Sequence, residues 1–255
     1  MTDLGPAIEL LSPFERILVF TGAGISTESG IPDFRGPGGL WTKVDPDDFT
    51  IQRFVRNRAL RVRNWQMHAR GELWGARSSV RPNRAHLAVV DLHRAGRLAG
   101  CVTQNIDGLH QVAGLAPDAV AEVHGNVRTV VCLGCAALSE IEVVLQRVDA
   151  GEDDPSCPDC GGMLKTSTIM FGEELPEAEF LKAWEFADDA GAVVVVGSTV
   201  GVYPAASIPL AMASEGKPLI VVNQGPTEAD LHAQLRLDGA AGDILPRLFA
   251  AITER

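Results

Sequence analysis

Residues 16–36 read RILVFTGAGISTESGIPDFRG, a short apolar run that passes directly into closely spaced glycines. The run 16–21 is apolar on both faces, which is typical of a strand buried in a parallel sheet. Gly22 and Gly24 would let backbone N–H groups approach a ligand closely, and a helix that begins there favours the phosphates of a dinucleotide. An ordinary tight turn would explain the two glycines equally well. The stretch therefore predicts a strand, a glycine turn and a candidate phosphate site.

This glycine pattern differs from the one typical of dehydrogenases. Thr27 stands where the third glycine of that pattern would be. The acids about 20 residues further on, Asp45, Asp47 and Asp48, follow loop sequence rich in glycine and proline rather than a second strand. The sequence thus indicates a dinucleotide that is held differently from the way a dehydrogenase holds it.

Similar apolar runs recur along the chain and alternate with helical patterns. Further strands are predicted at 98–103, 119–123, 192–197 and 218–223, and helices at 48–71, 83–95, 176–187, 204–214 and 243–252. This alternation predicts an α/β fold with a Rossmann-like, doubly wound parallel sheet. Residues 128–168 interrupt the alternation and hold four of the five cysteines. They are predicted to form a small inserted module, and residues 1–127 and 169–255 the larger domain.

The cysteines of this segment form two C-x-x-C pairs. Cys132 and Cys135 are separated from Cys157 and Cys160 by 21 residues. Such pairs provide the four thiolates of a tetrahedral zinc site. The alternatives are two disulfides, which are rare in the reducing cytosol, and four incidental core cysteines, which the paired spacing disfavours. With four protein ligands the metal has no open position, so we expect a structural zinc ion in a zinc-ribbon module. Cys101 stands alone in an apolar strand and is expected to be a small buried hydrophobe.

Composition narrows the class of protein further. The 255 residues include 33 acids and 22 bases, for a net charge of −11, and 46% are hydrophobic. This predicts one large domain, or one domain with a smaller insertion, and the negative charge opposes nucleic acid as a partner. The N-terminus MTDLGPAIELL lacks a basic region followed by an apolar one, so a cytoplasmic protein is expected. Residues 190–214 carry no charge, but their glycines and prolines favour a strand, a loop and a helix over a membrane span.

Taken together, the motifs resemble those of the sirtuins, the NAD-dependent protein deacylases. In chain order they are GAGISTESGIPDFRG at 22–36, TQNIDGLH at 103–110, HG at 124–125, the two C-x-x-C pairs, FGE at 171–173, GST at 197–199 and VN at 222–223. The resemblance covers residues 8–252. It implies that NAD and an acylated lysine bind in a cleft between the larger domain and the zinc module. The nicotinamide–ribose bond is then cleaved and the acyl group moves to ADP-ribose, which gives nicotinamide, free lysine and O-acyl-ADP-ribose.

The resemblance also implies the roles of individual residues. His124 would be the general base, with Asn105 and Asp107 as further catalytic residues. The expected NAD contacts are Gly22, Ala23, Gly24, Ser26, Glu28, Pro32, Asp33, Phe34, Arg35, Trp41, Gln104, Asn105, Ile106, Asp107, Gly197, Ser198, Thr199, Asn223, Gln224, Gly225 and Ala241.

The chemistry of histidine agrees with the role of base. Its pKa lies near neutral pH, and His124 follows the strand 119–123 at the sheet edge where such folds bind ligands. A satisfied core histidine is the alternative for His124, and it is the expectation for His110.

Two segments would bind the acetylated peptide as an added strand, through main-chain bonds that demand little of its sequence. They comprise Ile169, Phe171, Gly172 and Glu173 on one side, and Gly201 and Val202 on the other. The acyl-lysine would lie in an apolar tunnel beside Ile169 and Phe171.

The choice of acyl group is predicted from an absence. Sirtuins that prefer succinyl and malonyl lysine carry a Tyr-x-x-Arg pair on one helix, which here reads RVRNWQMH at 61–68. The only tyrosine in the chain is Tyr203. We therefore expect deacetylation to be faster than desuccinylation, although Arg61, Arg63 or Arg70 could point inward.

Three other functions compete with deacylation. Transfer of ADP-ribose to protein would keep the fold, but the presence of both His124 and Asn105 favours deacylation, which needs the base. A zinc ribbon without catalysis would leave the glycine turn and His124 unexplained. A hydride-transferring dehydrogenase is disfavoured by the incomplete glycine pattern.

Overall fold

The computed structural model of the protein describes residues 2–34, 36, 39–42, 44–74 and 77–254, without the side chain of Trp41. Its strands are β1 Ile17–Thr21, β2 Leu98–Thr103, β3 Val120–Glu122, β4 Thr129–Cys132, β5 Leu138–Glu140, β6 Leu164–Thr166, β7 Ala192–Val196, β8 Leu219–Val222 and β9 Leu235–Leu237. The larger sheet is parallel throughout, in the order β3-β2-β1-β7-β8-β9. This is the strand order of a doubly wound fold, so the predicted fold class is confirmed.

Helices cover both faces of this sheet. They are α1 Gly5–Leu11, α2 Ile51–Arg56, α3 Arg58–Ala69, α4 Arg84–Arg94, α5 Leu109–Val112, α6 Ile141–Asp149, α7 Glu177–Asp189, α8 Ser207–Ser214 and α9 Ala241–Thr253. Apolar residues of α1, α4 and α9 form one buried cluster with the sheet, and those of α7 and α8 form another. Every residue of β1, β2 and β7 is therefore buried, as their apolar sequences predicted.

The predicted helix 48–71 is wrong as a single element. Asn57 has an extended backbone between α2 and α3, and its side-chain oxygen accepts a hydrogen bond from Leu60 N at 3.1 Å. Asparagine satisfies a free N–H group at a helix start in this way, so it begins a second helix. The glycine turn also differs from an α-helix, because Ala23–Ser29 is a 3-10 helix.

A second, smaller sheet lies within the cysteine-bearing segment. It is antiparallel, in the order β5-β4-β6, and α6 follows β5. Trp65 of α3 is buried in its apolar cluster, together with Val130 and Leu145. Hence α3 packs directly against this module, a contact that the sequence did not indicate.

The uncharged stretch 190–214 forms β7, a loop and α8, in line with its predicted succession of elements. Within the described parts of the chain, every helix is too short or too polar to cross a membrane.

Candidate active site

Glycines bring the loop after β1 into direct contact with the loop after β7. Gly22 N donates to Val196 O at 3.0 Å, and Gly24 N donates to Gly197 O at 2.8 Å. A Cβ atom at Gly24 would lie 2.6 Å from Gly197 Cα, and one at Gly22 would lie 2.7 Å from Gly197 O. Such an approach is possible only without side chains. The resulting contact, which we call the glycine cradle, places the start of the 3-10 helix Ala23–Ser29 beside the carboxyl end of β7, the edge at which parallel sheets bind ligands.

Polar side chains from two separate motifs form one hydrogen-bonded cluster beside this cradle. Asn105 Nδ2 donates to Gly22 O at 3.1 Å and to Ser26 Oγ at 3.2 Å. Ser26 Oγ donates to Asp107 Oδ2 at 2.8 Å, and Leu109 N donates to Asp107 Oδ1 at 2.9 Å. Burial raises the pKa of Asp107, while these hydrogen bonds favour its charged form. We refer to Ser26, Asn105 and Asp107 as the polar cluster.

His86, which is absent from the residues predicted for the site, also reaches the polar cluster. Its Nδ1 accepts from Asn83 N at 3.3 Å, so the proton of the neutral ring lies on Nε2, 3.4 Å from Ser26 Oγ. Burial lowers the pKa of His86 to about 4, so the ring is neutral at pH 7. The spacing of Asn83 and His86, a helix cap and its third helical residue, was the available signal.

His110 is fully enclosed, in agreement with its structural interpretation. Its Nε2 lies 3.1 Å from Thr21 Oγ1, and burial places its pKa well below the ordinary value.

His124 has one ring nitrogen engaged. Its Nδ1 lies 3.0 Å from Gln104 O, and because a carbonyl only accepts, Nδ1 carries the proton. In the neutral ring Nε2 therefore holds the lone pair. Burial lowers the pKa of His124 below 6.5, so this neutral form prevails at pH 7. Gln104 Nε2 also donates to Ser198 Oγ at 2.7 Å, which links the ends of β2 and β7.

Other predicted NAD residues lie on the neighbouring loops. Glu28 Oε2 accepts from Gly242 N at 2.7 Å, beside Ala241 at the start of α9. Asp33 Oδ1 accepts from Gly36 N at 2.9 Å.

Several of these residues follow β2, β7 and β8. Asn223 Nδ2 donates to Gln224 O at 3.1 Å and to Gly225 O at 3.0 Å. Thr199 O accepts from Glu228 N at 2.9 Å. Partly buried positions are occupied by Ala23, Pro32, Phe34 and Ile106. Arg35 and the side chain of Trp41 lie outside the described residues.

The predicted peptide segment 169–173 is attached to two parts of the fold by its backbone. Ile169 N donates to His124 O at 2.9 Å. Phe171 N donates to Phe49 O at 2.9 Å, and Ile51 N donates to Phe171 O at 3.1 Å. One edge of the segment is therefore paired within the protein, next to His124.

The second predicted peptide segment lies between β7 and α8. Gly201 and Val202 are partly buried there, and Val202 O accepts from Ala206 N at 3.0 Å.

The four cysteines of the small module converge, with all their Sγ atoms within 4.8 Å of one another. Cys132 Sγ and Cys160 Sγ are 3.5 Å apart, and Cys135 Sγ and Cys157 Sγ are 3.7 Å apart. A disulfide would need about 2.05 Å, whereas thiolates around zinc at about 2.3 Å are about 3.8 Å apart. The cysteines are thus placed to bind one zinc ion with no open position.

Arg61, a candidate partner for an acidic acyl group, is engaged elsewhere. Its Nη2 lies 2.8 Å from Asp154 Oδ2, and its Nη1 donates to Phe54 O at 3.0 Å and Val55 O at 2.9 Å. Arg63 and Arg70 are exposed. Arg61 therefore connects α2 and α3 to the small module.

Comparisons with known proteins agree with this geometry. A family profile described as the Sir2 family matches residues 22–204. NAD-dependent protein deacetylase 2 of Streptomyces coelicolor is 41% identical over 239 residues, which are 92% of this chain and 97% of the relative. An NAD-dependent protein deacetylase of Thermodesulfovibrio yellowstonii is 41% identical over 244 residues, 96% of this chain and 93% of the relative.

Solved structures are similar over nearly the whole chain. A Sir2 structure with a deacetylated p53 peptide and 3'-O-acetyl-ADP-ribose has a TM-score of 0.87 at 33% identity, covering 97% of this chain and 98% of that one. Another Sir2 enzyme structure has a TM-score of 0.86 at 37% identity, covering 98% and 97%. The chain belongs to the Sir2 family, the sirtuins, as its motifs predicted. Its relatives named above are NAD-dependent protein deacetylases.

Proposed function

We propose that the protein is an NAD-dependent protein-lysine deacetylase. It removes acetyl groups from lysine side chains and, with NAD and water, yields nicotinamide, O-acetyl-ADP-ribose and free lysine. The observation that carries this proposal is the orientation of His124, whose Nε2 lone pair is left available while Nδ1 donates to Gln104 O. The names of the relatives support the same reaction.

His124 is the general base of the proposed reaction. Burial keeps its ring neutral at neutral pH, so Nε2 can take a proton from a ribose hydroxyl. After that transfer the ring is positively charged. The bond from Nδ1 to Gln104 O then stabilises the charged ring and holds its orientation.

NAD supplies the nicotinamide–ribose bond that is cleaved and the ribose that accepts the acetyl group. The glycine cradle would bring the loops after β1 and β7 together as the surface that receives its phosphates, since added Cβ atoms at Gly22, Gly24 or Gly197 would push these loops apart. The polar cluster would orient the nicotinamide ribose and the carboxamide. The loop 223–225 and Ala241 would contact the adenosine.

The domain division follows from the same assignment. Residues 1–127 and 169–255 would form the NAD-binding domain, and residues 128–168 the zinc module. The zinc ion would stabilise that module and take no part in the reaction, since four thiolates fill a tetrahedral site. The four cysteines must stay reduced to bind zinc, which agrees with a location in the reducing cytoplasm.

Acetylated protein or peptide lysines are the proposed partners. The peptide would bind as an added strand between 169–173 and 201–202, which favours broad sequence tolerance. The structure of a Sir2 protein bound to an acetylated peptide, 31% identical with a TM-score of 0.84, supports an acetylated peptide as the partner.

The test is a product analysis with an acetylated peptide and NAD. We expect nicotinamide release and acetyl loss in equal amounts, with O-acetyl-ADP-ribose as the second product. His124→Ala should lower kcat by roughly 10²–10⁴-fold while ADP-ribose still binds. The exposed His232 is the control, and His232→Ala should be active. Nicotinamide release with transfer of ADP-ribose to the peptide would instead identify a transferase.

A further inference from the structure

Lys165 carries a buried charge that neither the zinc site nor the proposed NAD site uses. It lies in β6 with 2% of its side chain exposed, and its Nζ is 3.0 Å from Glu173 Oε2. The same Nζ donates to Thr166 O at 3.1 Å and to Thr168 O. A buried ammonium group is costly unless it is paired and hydrogen-bonded, so the surroundings are built to hold it.

The carboxylate of Glu173 continues this set of bonds. Glu173 Oε2 also accepts from Met170 N at 2.8 Å, and Glu173 N donates to Met170 O at 3.1 Å. Lys165 and Glu173 thereby tie together both ends of the segment 166–173. This stretch begins at the end of β6, the last strand of the small sheet, and contains the proposed peptide-binding segment 169–173.

The tied segment also contacts the catalytic residue. Ile169 N donates to His124 O at 2.9 Å, and the backbone of Phe171 pairs with residues 49 and 51. A peptide that binds as an added strand forms hydrogen bonds with the backbone of the strand beside it. Its affinity therefore depends on how well that backbone is preorganised before the peptide binds.

We propose that Lys165 is a positioning residue that holds segment 166–173 in the conformation that accepts the acetyl-lysine peptide. This rests on the proposed function, because it concerns the substrate of the same site. Lys165 acts through Glu173 and the backbone carbonyls and does not touch the substrate.

The experiment separates this role from a contribution to stability alone. Lys165→Met removes the ammonium group and keeps the length of the side chain. Because this leaves Glu173 unpaired, the double variant Lys165→Met with Glu173→Gln removes both charges and retains an acceptor for Met170 N. The control is Lys182→Met, since Lys182 Nζ likewise donates to two carbonyls, Pro117 O at 2.8 Å and Val120 O at 2.6 Å, away from the site.

We measure the KM and Kd for an acetylated peptide, the KM for NAD, the Kd for ADP-ribose, and hydrogen exchange at residues 167–173. In both Lys165 variants the peptide constants should rise about tenfold, while those for NAD and ADP-ribose stay within about twofold. Exchange in 167–173 should accelerate. Lys182→Met should leave all of these unchanged.

Two outcomes separate the inference from the proposed function. Unchanged peptide affinity, or an equal change for peptide and NAD in the folded double variant, overturns the role of Lys165. A wild-type protein that binds the peptide but removes no acetyl group refutes the proposed function, while peptide affinity and hydrogen exchange still decide the role of Lys165.

Discussion

Replacement of Gly125 by alanine should disable the site through a single methyl group. Gly125 follows His124 and has φ +69°, and a Cβ atom there would lie 1.9 Å from Ser167 O. Gly96 offers a matched control, because it has φ +74° and no atom within 4 Å of the added Cβ. The two variants share the cost of a left-handed backbone and differ in the overlap.

The expected magnitudes follow from these contacts. A left-handed alanine costs about 1–2 kcal/mol, which is the whole expectation for Gly96→Ala. Real Cβ atoms essentially never come within 3.0 Å of such a neighbour, so in Gly125→Ala the backbone must move by about 1 Å. Overpacking of this kind adds roughly 1–3 kcal/mol. Since the turn also holds Ile169, that shift should reduce kcat/KM about 10²-fold.

Urea unfolding and steady-state deacetylation, measured on both variants, check these values. Gly96→Ala should keep nearly full activity with a modest loss of stability. Gly125→Ala should lose more stability and most of its activity. Equal unfolding free energies in the two variants, with Gly125→Ala still active, would refute the reasoning from the close contact.

Three further predictions concern zinc, pH and the acyl group. Wild-type protein should bind one zinc ion per chain, and the control Cys101→Ala should do the same. Cys160→Ala should lose the zinc ion, and its small module should be less stable. An unchanged metal content in Cys160→Ala would contradict the site. Because burial lowers the pKa of His124 in the free protein, its base form persists below pH 6.5, so the acidic limb of the kcat/KM profile should lie under pH 6.5; a limb at higher pH, or one that His124→Ala leaves in place, would argue against His124 as the base. On one peptide, kcat/KM for acetyl-lysine should exceed that for succinyl-lysine by at least about tenfold, because Arg61 is paired with Asp154 and is not free to bind a succinyl carboxylate. Equal or faster succinyl removal would show that another group binds that carboxylate.

Strand positions and chemical motifs were accessible from the sequence because both are local patterns. The predicted strand 98–103 matches β2 at both ends, and 192–197 differs from β7 by one residue. Buried parallel strands need apolar residues on both faces, and few other elements show that pattern over so short a run. The missed strand β9 is a three-residue edge strand of sequence LRL, too short to carry a distinctive pattern.

The same locality explains the errors within helices. An apolar spacing continues across 48–71, so periodicity predicts one helix there. The break depends on one side-chain oxygen at Asn57 and its bond to Leu60 N. A capping residue competes with continuation of the helix, and the outcome depends on the direction in which the next helix packs.

Fold class, family and the zinc ligands could thus be inferred from the sequence. They depend on residue types and on spacings along the chain, which can be recognised without knowing which distant residues come into contact. The hydrogen bonds and ion pairs that join these residues into a site could not be inferred from the sequence. Ser26 meets Asp107 because β1 and β2, from separate parts of the chain, end at the same edge of the sheet, and Lys165 meets Glu173 because the loop after β6 turns back toward that strand. Such pairings depend on how the layers pack and on which buried charge must find a partner, and these are properties of three-dimensional neighbours rather than of neighbours along the chain.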